Sequence, residues 1–175
     1  NQIELSISQA QNNFENIKQI FKNYFAKEDQ LLLIRKQIPI NYIKDGKDNI
    51  YNLVRDSVGN ISKVMHNAKL IGEYTYDAWG NYVEMLFTDS NLTDNDKFIV
   101  QNNPFRFKGY YLDLDTKLYY CQNRYYSPAI YQWLSPDKFE YLDHKKNNGL
   151  NLYCYCFNNP VSLVDANGNE PLTIF

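Results

Sequence analysis

The chain is poor in the residues from which most enzyme sites are built. Histidine occurs twice, at His66 and His144, so an imidazole-based metal centre or catalytic triad has little material. The three cysteines, Cys121, Cys154 and Cys156, follow no disulfide or zinc spacing. Cys154 and Cys156 are expected on one face of a strand, buried as small apolar groups. No metal and no cofactor is expected. No apolar run nears the roughly 20 residues that a membrane helix needs. No cleavable leader is visible at Asn1, and the chain is expected to be a piece of something longer. A formal charge of -2 leaves no electrostatic footprint for nucleic acid or an anionic membrane.

Aromatic surface is what the chain has in quantity. Of its 175 residues 44% are apolar and 16% aromatic, which supports a packed core and argues against intrinsic disorder. Tyrosine stands out with 16 copies. It favours strands, where the ring lies across a neighbour and the hydroxyl reaches an edge or water. The length suits one domain, or one domain with an appendage.

Two regions differ in period. Phe14, Ile17, Phe21 and Tyr24 recur every three or four residues, which predicts one amphipathic helix from about Ser8 to Lys27. Packing on its own domain is the expected fate of its apolar stripe; docking on a membrane or a partner is the alternative. "LLLIRKQIPINYI" is short and β-branched and reads as a strand. From about Asn41 helical periodicity disappears, and short Tyr/Val/Ile/Leu runs alternate with turn signals.

Those turns resemble one another. They read Asp45-x-x-Asp48-Asn49, Asp56-x-x-Gly59-Asn60, Asp77-x-x-Gly80-Asn81 and Asp165-x-x-Gly168-Asn169. Four copies of one pentapeptide argue for a repeated hairpin. An Asp carboxylate accepts backbone N–H bonds a few residues on, and Gly supplies the positive φ that follows. Asp48 in the Gly position predicts a weaker or differently shaped first turn. Trp79 is expected to fold back over the strands that its own turn joins.

The pattern Tyr-x-x-Asp-x-x-Gly-Asn in "YTYDAWGN" resembles the YD, or RHS, repeat. "NPFRFKGYYLDLDTKLYYCQNRYYSPAIYQWLSPD" and "YLDHKKNNGLNLYCYCFNNPVSLVDANGN" resemble the RHS-repeat-associated core, the C-terminal end of RHS polymorphic toxins, in its Gram-positive, clostridium-like version. The resemblance runs from about Ile40 to Glu170. It divides the chain into an N-terminal extension (1–39), the core (40–170) and the start of a variable region (171–175).

The resemblance implies a mainly β fold: successive antiparallel hairpins in a curled or spiral sheet, here with one N-terminal α-helix. It implies a large exported or surface-delivered protein whose hairpin shell encloses a C-terminal toxin, with the core closing the end as a plug. About a dozen strands are too few to enclose a cargo, so upstream repeats and a toxin cargo in the same polypeptide are the implied partners. A cognate immunity protein or a target-cell surface are further ones. Nucleic acid and a membrane span are not.

In several members the core also cuts its own chain by aspartyl-type chemistry. That chemistry needs two carboxylates close enough to share a proton, and an arginine to hold one ionised. The matching positions are Arg124, Asp137 and Asp165. Three departures stand against it: Ser127 where an Asp is usual, Ala166 where Pro is usual, and Asn169 where the cut usually follows Leu. The equivalent bond is Asn169–Glu170. A structural role is expected to prevail, with Arg124 paired to Asp137 or stacked on Tyr125 and Tyr126, and with Asp165 setting a turn as Asp45, Asp56 and Asp77 do.

Other features carry less. Asp113 and Asp115 in "DLDT" lack the further acids of a calcium loop and read as a hairpin turn. Asn147-Asn148 and Asn158-Asn159 read as turn and cap residues. The alternative from another class is a carbohydrate-binding module at a cell wall, with exposed Trp79 or Trp133 stacking on sugars.

Overall fold

The computed structural model describes residues 40–141, 145 and 150–174. The expected N-terminal helix, and most of the expected strand after it, lie outside these residues. The described part is mainly β, with antiparallel sheets, one α-helix and no closed barrel.

The first sheet is a meander of β1 (Tyr42–Lys44), β2 (Ile50–Arg55), β3 (Ile61–His66), β4 (Lys69–Tyr76) and β5 (Tyr82–Phe87), each paired antiparallel to the next. Alternation sets its inner face: Tyr51 and Leu53 of β2 are buried while Ile50, Asn52 and Val54 are exposed. The pairing register shifts at Val54/Arg55, Val64/Met65 and Thr75/Tyr76. Each irregularity bends its strand and increases the twist, which curls the sheet.

A helix, α1 (Asp94–Asn102), covers the inner face. Sequence periodicity did not reveal it. Thr93 and Asp96 form a reciprocal capping box at its start, and Arg106 donates to the carbonyls of Val100 and Gln101 at its end. Ile99 and Val100 join Ile43, Ile61, Val64, Ile71 and Tyr74 in the first core. Gly72 lets the helix approach, because a Cβ there would run into Val100 Cγ1.

The second sheet is smaller: β6 (Tyr111–Leu112), β7 (Tyr119–Cys121), β8 (Arg124–Ser127) and β9 (Gln132–Trp133), in that order. Its core is aromatic. Phe107 lies among Tyr76, Tyr110, Tyr119, Tyr126 and Tyr155, and the rings of Tyr126 and Tyr155 stack with centroids 4.1 Å apart. The hydroxyls of Tyr119 and Tyr126 donate to the carbonyls of Gly80 and Trp79, 2.9 and 2.7 Å away. The tip of the β4–β5 hairpin is therefore held by the second sheet. The Trp79 ring meets that of Tyr131 at a tilt, 4.9 Å between centroids, and packs with Tyr76 against the same core.

The C-terminal part runs back along the second sheet. Trp133 N–H donates to Tyr153 O and Asp137 N–H to Leu152 O, each 2.9 Å. Cys154 and Cys156 do not share a strand face. They flank the start of a one-turn 3-10 segment, Tyr155–Asn158, in which Cys156 and Phe157 adopt positive φ. Finally β10 (Leu163–Val164) and β11 (Leu172–Thr173) pair around the last Asp-Asn turn.

Candidate functional site

In the first three turns one carboxylate organises the loop with both oxygens. Oδ1 of Asp45, Asp56 and Asp77 accepts the N–H groups two and four residues on, at 2.8–3.0 Å. Oδ2 accepts the side-chain amide of Asn49, Asn60 or Asn81, at 2.7–2.8 Å. Gly59 and Gly80 take φ values of 91° and 87°. Asp48 takes φ 63° in the same place, so the first turn keeps the shape of the others with a non-glycine residue in the left-handed region. Its carboxylate also serves the helix, since Asn95 Nδ2 bridges Asp45 Oδ2 and the Tyr51 hydroxyl at 2.9 and 2.7 Å.

The fourth turn is built differently. Asp165 Oδ1 accepts the N–H of Asn169 at 2.9 Å, as in its counterparts. Its Oδ2 faces Arg124 Nη2, 3.4 Å away, instead of an asparagine amide. The same nitrogen contacts Asp137 Oδ2 at 2.7 Å. The rest of the guanidinium is also engaged: Nε donates to Gly168 O at 2.5 Å and Nη1 to Leu152 O at 3.2 Å, and the group lies over the Trp133 ring, 4.2 Å from its centroid. Arg124 on β8, Asp137 beyond β9 and Asp165 beyond β10 are thus brought together, while Asp45, Asp56 and Asp77 each stay at a separate turn.

The cluster is buried, least so at Asp137. Side-chain exposure is 6% for Arg124 and 0% for Asp165, against 12% for Asp137. Burial pushes the Asp165 carboxyl up to about 6, against the opposing pull of Arg124 and the turn N–H groups. Burial likewise draws Arg124 below its ordinary value, opposed by its two carboxylates. The Tyr110 hydroxyl fixes Asp165 from behind: it donates to Asp165 O at 2.9 Å and accepts Asp165 N–H at 3.1 Å. A Cβ at Gly168 would lie 2.7 Å from Cys121 O, so the loop sits directly on the β7–β8 turn.

Side chains of this cluster were legible through the family pattern. The carbonyls of Leu152 and Gly168 were not, because every residue carries one. Trp133 is 1% exposed, so it offers no platform to a sugar, and Trp79 is half-buried against Tyr131. Asp113 Oδ1 accepts the N–H groups of Asp115 and Thr116 in the β6–β7 hairpin turn. Among the described residues no group of three or more His, Cys, Asp or Glu could hold a metal ion. Among them also, no helix is long and apolar enough to cross a membrane. A groove of about 310 Å³ between Arg55, Asp56, Lys108, Val164 and Ile174 is lined by none of the three clustered charges.

No family model matches the chain. The tRNA3(Ser)-specific nuclease WapA of Bacillus spizizenii is 32% identical over 133 residues, covering 74% of this chain and 5% of that protein. Toxin subunit YenC2 of Yersinia entomophaga is 46% identical over 57 residues, 33% of this chain and 5% of its own. Among solved structures, the Tc holotoxin pore of Photorhabdus luminescens matches with a TM-score of 0.61 at 26% identity, over 75% of this chain and 6% of that one. The TcdB2–TccC3 complex without its hypervariable C-terminal region matches with a TM-score of 0.57 at 26% identity, over 73% of this chain and 6% of that one. The chain spans about a twentieth of the length of these relatives. Together the likenesses support an RHS-associated domain.

Proposed function

We propose that this RHS-associated domain is the structural core that closes the hairpin shell of a longer exported toxin, over a C-terminal toxin carried in the same polypeptide. Residues 40–170 form that core, in its clostridium-like version, and 171–175 begin the cargo side. The observation that carries this is the Arg124 cluster. It ties the turn at Asp165, where the chain would pass to the cargo, to the second sheet through two carboxylates and two carbonyls. One solved relative is described without a hypervariable C-terminal region, which fits a variable segment following such a core. The edge strand β5 exposes Tyr82, Val83, Leu86 and Phe87, which suits an adjoining hairpin in a larger sheet.

Limited proteolysis of the longer protein tests this. The segment beyond residue 175 is expected to resist protease in the wild type and to be digested once Arg124→Ala loosens the closing turn. Equal digestion in both would remove the proposal.

A second activity, self-cleavage beside the closing turn, is favoured by the contact of one Arg124 nitrogen with two carboxylates. Asp137 is proposed as the base and Asp165 as the acid. Intact-mass measurement is expected to find a processed wild type and an unprocessed Asp137→Asn variant. An intact wild type, or identical cutting in both, would remove self-cleavage and leave the structural role standing.

A further inference from the structure

We infer that the groove between the Asp56 turn and the C-terminal hairpin is a binding site for a single carboxylate carried on a short apolar arm. The groove measures about 310 Å³, room for a small organic acid rather than a lone ion. Arg55, Asp56 and Lys108 give it charge, and Val164 and Ile174 give it apolar surface. It is open at the turn, since a Cβ on Gly59 would meet nothing within 4 Å.

The two cations are held but not neutralised. Arg55 Nη1 donates to Gly59 O at 2.8 Å and Nη2 to Ile40 O at 3.3 Å. Lys108 Nζ donates to Val58 O at 3.1 Å. Carbonyls satisfy N–H groups but carry no net charge. Among the described residues neither cation is ion-paired to a carboxylate. Asp56 lies nearby, but its oxygens are taken: Oδ1 by the N–H groups of Val58 and Asn60, Oδ2 by the Asn60 amide.

Burial makes this arrangement costly. Lys108 is only 9% exposed, and burial draws both cations below their ordinary values, with Asp56 opposing in part. A bound anion would offset that cost. The amine is also placed in advance. Lys108 takes φ 52°, and its N–H donates to Asn60 Oδ1 at 3.0 Å, so the Asp56 turn fixes the lysine that faces its own groove.

Charge and surface together select the ligand. Two cations beside one carboxylate leave one positive charge, which balances one negative charge and not two. Val164 and Ile174 suit a short hydrocarbon arm. A free short-chain acid and a glutamate side chain of an adjoining protein segment share this chemistry.

The test is NMR titration of the isotope-labelled full chain at constant ionic strength, following the amide signals of Val58, Gly59 and Lys108. The probes are butyrate, N-acetylglutamate amide, sulfate and chloride. Butyrate or the glutamate derivative is expected to shift these signals saturably, the tighter of the two naming the source, with sulfate weaker. Lys108→Met, which keeps the aliphatic stem, is expected to weaken binding about 10-fold. Ile174→Glu, beyond the last strand, brings a negative charge to the groove and is expected to weaken it similarly, which keeps the test open if Lys108→Met does not fold. Shifts matched by chloride would show screening alone and overturn the site. Sulfate binding tighter than either carboxylate overturns the choice of a single charge. Wild-type affinity in a folded Lys108→Met or in Ile174→Glu overturns the assignment to this groove.

Discussion

Asp165 turns its Oδ2 toward Arg124 Nη2, 3.4 Å away, where Asp45, Asp56 and Asp77 turn theirs toward an asparagine amide. One turn motif therefore serves two purposes. Three copies shape hairpins, the first also receiving Asn95 of the helix; the fourth is wired across the molecule through a buried cation.

That wiring makes Arg124 a charge whose loss should be felt. Arg124→Met keeps much of the packing on Trp133 but strips Asp165, fully buried, of its counter-charge. Breaking a buried pair from one side costs about 3–5 kcal/mol. The expected outcome in urea titration is an unfolding free energy lowered by that amount, partly recovered by adding Asp165→Asn. A loss below about 1 kcal/mol, the range of surface pairs, would mean that the cluster holds nothing.

The pH dependence has a definite sign. The folded-state carboxyl of Asp165 lies at about 6, above its ordinary 3.8. The folded state therefore binds this proton more tightly than the unfolded one. The contribution is fully present below about pH 4 and is lost as pH rises toward 6. Denaturant unfolding from pH 4 to 7 is expected to show Asp165→Asn losing this downward slope relative to wild type. Identical slopes would show that Asp165 is ionised throughout.

How much of this was legible in the sequence depends on the range of the interaction. The turns were, because an Asp carboxylate and the N–H groups it gathers lie within five residues. The helix Asp94–Asn102 was not, because of its three buried residues, Asp96, Ile99 and Val100, the first is a carboxylate and the two apolar ones are adjacent, so apolar residues alone mark no stripe at helical spacing. The Thr93-x-x-Asp96 capping box was the available local signal. The strand expected at Cys154 and Cys156 failed for a related reason: alternating side chains do not reveal a backbone that turns left-handed at Cys156 and Phe157. Arg124, Asp137 and Asp165 could be named in advance from the family pattern alone, since nothing local joins positions so far apart.

The first turn offers a stabilising change. Asp48 occupies the left-handed region with φ 63°, where Gly59 and Gly80 serve in the other copies. Its ion pair with Lys44, 3.6 Å long with the Asp48 side chain 71% exposed, contributes little against that strain. Asp48→Gly is expected to stabilise by about 0.5–1 kcal/mol, the relief of positive φ being partly offset by greater freedom in the unfolded chain. A thermal midpoint unchanged or lower would show that Asp48 is at ease in this conformation.

The contact between helix and first sheet sets a sharper demand. At Gly72 a Cβ would meet both Cγ1 and Cγ2 of Val100, which is fully buried and cannot swing into solvent. The Tyr74 hydroxyl donates to Val100 O at 2.8 Å, so the helix cannot slide away without losing that bond as well. Gly72→Ala is therefore expected to destabilise by about 1–3 kcal/mol through overpacking. Val100→Ala alone should also destabilise, by leaving a cavity. The double variant should be more stable than the sum of the two losses allows, because each change makes room for the other. Additive losses in that cycle would mean that the two side chains do not compete for one space, and the close approach of Gly72 to α1 would then not explain the glycine.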